Sequence, residues 1–164
     1  MAMTFHLVIW SLLIVIGVSD VMRHRIPNKM ILLLIVAVLT ELSFGSNLGW
    51  RLHLTGFFYT TTLCFVFYFM KAMAGGDVKL LAAIGLWLGS EQMWLATPYI
   101  VIAGGVIATL FLARHLASSP VTMTEQMRSY AVQKVTPGWK SSQPLVIPFA
   151  PAVVIGLAYF FYIH

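Results

Sequence analysis

Long apolar runs separated by short polar joints make up most of this chain. Crossing a bilayer takes about 20 apolar residues, with a range of about 17 to 25. The first run is 3–19 (MTFHLVIWSLLIVIGVS), the second 30–45 (MILLLIVAVLTELSFG) and the third 52–71, rich in aromatics. A short fourth run, 78–89, is followed by a fifth at 93–113 and a sixth at about 146–163, entered through IPFAPAV. No basic segment precedes the first run and no small-residue cleavage site follows it, so it reads as a retained helix. The pattern predicts an all-α integral membrane protein of six transmembrane helices in one membrane-embedded domain, 1–164. Only 114–144 reads as water-exposed at length. It carries the breakers SSP, TPG and SSQP around a polar stretch, TEQMRSYAVQK, that suits a short interfacial helix.

Composition strengthens that picture. Of the 164 residues, 60% are hydrophobic and 9% charged, where a soluble domain carries about a quarter charged residues. Lysine and arginine outnumber the acids by 10 to 5. In a soluble protein that excess would suggest nucleic acid; here the membrane explains it. With the first loop cytoplasmic, the inside segments hold Arg23, Arg25, Lys29, Lys71, Lys79, Arg114, Arg128, Lys134 and Lys140, and the outside holds only Arg51. That bias predicts that both termini lie outside. Cys64 is the single cysteine, and the five histidines show no metal-ligand spacing. No metal, cofactor or nucleic acid is therefore expected.

So few charges can be taken one by one. Glu41 and Glu91 fall at outer boundaries and Glu125 in the long loop, all three read as solvated. Asp20 ends the first run and Asp77 opens the fourth, both on the cytoplasmic side. An aspartate near the centre of a membrane helix costs about 2.5–3.5 kcal/mol, which marks such an acid as a functional candidate. Each has a bland reading: Asp20 paired with Arg23, or Asp77 as the N-cap of its helix. The fourth run favours function. Its twelve residues (78–89) give about 18 Å, short of the roughly 30 Å of hydrocarbon. Either Trp94 and its neighbours extend it, or Ala74–Gly75–Gly76–Asp77 forms irregular backbone inside the membrane. Gly75 and Gly76 suit that turn by accepting positive φ. Two carboxylates in one site can share a proton, one activating water while the other polarises a carbonyl. Lys79 either biases that pair or snorkels to the interface.

Three motifs carry a resemblance: SDVMRHRIPNKM (19–30), AGGDVKLLAAIGLWLG (74–89) and IPFAPAV (147–153). Together they resemble the type IV prepilin peptidases, membrane aspartyl endopeptidases of the GxGD group, and most nearly the short forms acting on Flp-type prepilins of tight-adherence pili. The resemblance implies that Asp20 and Asp77 are catalytic. It places Pro27 and Asn28, Gly75 and Gly76, Lys79, and Pro148 and Pro151 in supporting motifs. Ala74 stands where the family has its first glycine, and Phe149 and Ala150 where it has tyrosine and glycine. The implied substrate is a prepilin whose short basic leader is cut on the cytoplasmic side of its hydrophobic helix, at a bacterial inner membrane, with pilus assembly or secretion machinery as further partners. Longer relatives carry paired cysteines and methylate the new amino terminus; with neither those cysteines nor their domain, methylation is not expected here. A small proton- or ion-coupled transporter using the aspartates as a relay is the second reading, and a non-catalytic assembly protein the third.

Overall fold

The computed structural model describes residues 2–45, 49–118 and 148–164; the expected interfacial helix of the long loop, with Glu125, lies outside them. Five helices follow in order: α1 (Ala2–Arg23), α2 (Asn28–Gly45), α3 (Trp50–Phe69), α4 (Gly75–Ser118) and α5 (Ala150–Ile163). The described residues contain no strand. Met1–Gly104 with Pro148–His164 form one compact unit; the second, Gly105–Ile147, is described only over the helical end of α4. Among the described residues three stretches are long and apolar enough to cross a membrane: Phe5–Arg23, Trp50–Phe69 and Gly75–Arg114. The shorter α5 is also apolar.

α4 is two helices joined at Gly89, whose backbone (φ 76, ψ 175) lies in a region that is essentially glycine-only. The joint falls where the fourth run was expected to end. The difference is that helix resumes at once, so Glu91 is an exposed helical residue and not part of a loop.

The first arm of α4, 75–88, is the axis of the larger unit. Leu80, Ala83 and Ile84 are almost wholly buried, and Leu86, Trp87 and Leu88 nearly so. Around it, α1 contributes Ile9, Leu13 and Ile16, α2 Leu34 and Val38, and α5 Val153 and Leu157. Each set follows helical spacing, which puts its members on one face. α3 meets the core differently. Its buried stripe is His53, Gly56, Thr60 and Cys64, while Phe58, Phe65 and Phe69 face outward. Small residues inward and aromatics outward is the arrangement expected where helices pack within lipid. The approach is close: a Cβ built on Gly56 would lie 2.5 Å from the Gly85 carbonyl oxygen, and one on Gly85 2.5 Å from Thr60 Oγ1.

Glu41 corrects the solvated reading given to it. Its Oε2 accepts a 2.9 Å bond from Trp87 Nε1–H, and its Oε1 lies 3.3 Å from His6 Nδ1. The glutamate therefore joins α1, α2 and α4. A buried indole N–H needs an acceptor, and Glu41 supplies it.

Candidate active site

Asp20 sits in the last turn of α1 and is 6% exposed. The helix runs past its expected end at 19 because the chain still closes a helical turn there: His24 N–H donates to the Asp20 carbonyl at 2.8 Å. Backbone then turns at His24, in the left-handed region (φ 50). Pro27 starts α2, its carbonyl accepting from Met30 N–H (3.0 Å) and Ile31 N–H (3.3 Å). Asn28 is the first residue of that helix.

Asp77 is the third residue of α4 and partly buried. Its N–H and that of Val78 both donate to the Ala74 carbonyl, at 3.1 and 3.3 Å. Gly75 and Gly76 depart from the expected turn: both are helical, and the positive φ between α3 and α4 belongs to Lys71 (φ 57). A Cβ at either would meet its neighbours only at ordinary van der Waals distance. A Cβ on Gly76 would lie 3.4 Å from Ile26 Cβ, and one on Gly75 3.6 Å from the Tyr68 ring. Ala74, lying before the helix with an ordinary φ, needs no glycine conformation.

The two aspartates come together. The charge of Asp20 acts on Asp77, and that of Asp77 on the buried thiol of Cys64 across from it on α3. Among the described residues Arg23 makes no ion pair with Asp20. Asp77 lies in the first turn of its helix, not before it, and its carboxylate accepts a backbone hydrogen bond from Ala74. Asp20 does have one donor. Ala150 N–H, at the start of α5, reaches its Oδ2 at 2.9 Å from 130 positions away in sequence. A hydrogen bond to a charged group contributes about 1.5–3 kcal/mol, whereas burying an ion costs several kcal/mol. Among the described residues that N–H is the one hydrogen-bond donor to the Asp20 carboxylate.

The supporting residues gather around this pair. Lys79 Nζ donates to Asn28 Oδ1 at 3.0 Å, tying the start of α4 to the start of α2. The ammonium forms no ion pair with either aspartate. Pro148 is fully buried before α5, and Pro151 follows Ala150 in its first turn. Between α2, α3 and α4 opens a groove of about 570 Å³, lined at the start of α4 by Gly75, Val78 and Lys79 but not by Asp77 itself. Its wall is apolar along Ile31, Ile35, Phe57, Phe65 and Val78, with Asn28 and Lys79 also in its lining. No three histidine, cysteine, aspartate or glutamate side chains among the described residues are placed to hold a metal ion.

Sequence reasoning missed one contributor: the Ala150 amide, a backbone group that carries no side-chain signature.

A family model described as the type IV leader peptidase family matches residues 7–113. That stretch holds Asp20, Pro27, Asn28, Gly75, Gly76, Asp77 and Lys79, and ends before Pro148. No curated protein and no solved structure matches the chain.

Proposed function

The chain belongs to the type IV leader peptidase family, and from that premise we propose that it is an aspartyl endopeptidase that removes the short basic leader of Flp-type prepilins. Membership makes it a peptidase; the substrate, the residues and the side of cleavage are our reading. The observation that supports it best is convergence: the charge of Asp20 acts on Asp77, Lys79 bonds Asn28, Gly76 packs on Ile26, and Ala150 bonds Asp20. Three motifs far apart in sequence thereby meet around two carboxylates.

The chemistry follows from the pair. One carboxylate, ionised, takes a proton from water as its oxygen attacks the scissile carbonyl carbon; the other, protonated, gives its proton to the carbonyl oxygen. In the tetrahedral adduct the C–N bond then breaks. The departing nitrogen takes up the proton removed from water, leaving a free amine and a carboxylic acid. Each turnover consumes one water and returns the shared proton to the pair. The apolar groove between α2, α3 and α4, lined at its α4 end by Gly75, Val78 and Lys79, suits the hydrophobic helix of a prepilin packed by van der Waals contact near the start of α4.

The excess of basic residues on the first loop's side supports a cytoplasmic position for the pair, with both termini outside; a bacterial inner membrane and pilus assembly or secretion machinery as partners belong to the same reading. Purified protein in liposomes, given a Flp-type prepilin, tests the reading by the mass of the products. The expected result is one cut between leader and hydrophobic helix. Intact prepilin together with proton uptake would instead establish a transporter.

A further inference from the structure

Asp20 and Asp77 are chemically identical side chains in different settings. Asp20 is almost fully buried and has one oxygen fixed by a backbone donor from another helix; Asp77 is more open, and its backbone donor is Ala74, three residues before it in the same segment. We infer that the first turn of α5 divides the labour of the pair, its Ala150 N–H holding Asp20 as the water-activating carboxylate and leaving Asp77 to donate the proton to the substrate. The inference rests on the proposed peptidase function and adds a positioning residue to it.

The geometry supports this in three ways. First, Ala150 is the first residue of α5, so its N–H is one of the amides that a helix start leaves without an internal partner. A carboxylate there accepts a charge-assisted bond, and the start of a helix favours negative charge. Second, the bond engages Oδ2 alone, so the two oxygens of the carboxylate are no longer equivalent. Third, the turn is held in place. Ala150 is fully buried, Pro148 is buried before it, and a Cβ on Gly17, three residues before Asp20, would lie 3.7 Å from Pro151 Cα. α5 is thus seated against α1 at the level of Asp20. The titratable group facing Asp20 from another helix is Asp77 on α4; among the described residues no lysine, arginine or histidine forms an ion pair with it.

A proline-containing motif at the head of the last helix then has a chemical role. Pro148 and Pro151 fix where the α5 amide points, and alanine between them supplies an N–H that proline at the same position would lack.

The experiment removes this one donor. Ala150→Pro deletes the N–H but puts ring atoms into a fully buried position, so the decisive variant is an amide-to-ester replacement at residue 150. It is made by incorporating lactic acid in place of alanine during cell-free synthesis into nanodiscs, with Flp-type prepilin as substrate. Loss of a hydrogen bond to a charged group lowers kcat about 10- to 100-fold with KM unchanged. The acid limb of the kcat profile moves to higher pH, because a carboxylate without its donor binds a proton more tightly. A smaller folded fraction would scale that profile without moving it, and would overturn the inference. Wild-type kinetics in the ester form, or a change confined to KM, would overturn it as well, leaving the peptidase reading intact. If the wild type itself cuts no prepilin, both fall.

Discussion

Lys79 shows how a charged residue next to a reactive one can serve structure. Its ammonium lies two residues beyond Asp77, but its 3.0 Å bond goes to Asn28 on α2. An exposed polar contact of this kind contributes about 1 kcal/mol or less. Lys79→Ala is therefore expected to lower the thermal midpoint slightly and to leave the pH profile of cleavage in place. A profile displaced along the pH axis would show that the ammonium tunes the aspartates. Glu41 makes the converse point. It reads as a boundary acid in sequence, yet it accepts from Trp87 in the packed interior, and nothing within 40 residues of it announces that partner. Long-range polar pairs carry no local pattern, which is why they escape a sequence reading.

At the scale of the element, apolar run lengths located the helices because a membrane helix is selected on length and hydropathy. Helix starts and ends were less legible. α1 extends through Asp20 to Arg23, and α4 opens at Gly75, because backbone hydrogen bonds and not hydropathy decide where a turn continues. Gly85 and Gly89 stand four apart, a spacing that suits helix packing; both meet Gly56 of α3, and Gly89 also carries the positive φ that breaks α4. Gly75 and Gly76, expected to bend the chain, are helical and leave space for a Cβ at ordinary contact distance. The contact between α3 and α4 is backbone on backbone, so it has no side chain able to yield. Gly56→Ala would place its Cβ 2.5 Å from the Gly85 oxygen. It is expected to cost about 1–3 kcal/mol, as overpacking does, seen as a lower unfolding midpoint in detergent. A variant as stable as wild type would show that the helices separate easily.

For the whole molecule, the organising feature is the meeting of α1, α4 and α5 at two acids. Asp20 and Asp77 were legible because charge is scarce in a chain with five acidic residues, and because an ionised group within a membrane helix is costly. That the α5 amide closes the site was not legible, since a backbone N–H looks the same at every position. The central claim is that the two carboxylates act as one unit. The most direct measurement is the single-turnover cleavage rate of a Flp-type prepilin by wild type, Asp20→Asn, Asp77→Asn and the double variant, each at equal membrane abundance. Groups that share a proton fail together: each single substitution is expected to slow cleavage by about 100- to 10,000-fold or more, and the double variant to be no slower than either. Near-normal cleavage by either single variant, or losses that simply multiply in the double, would contradict the account.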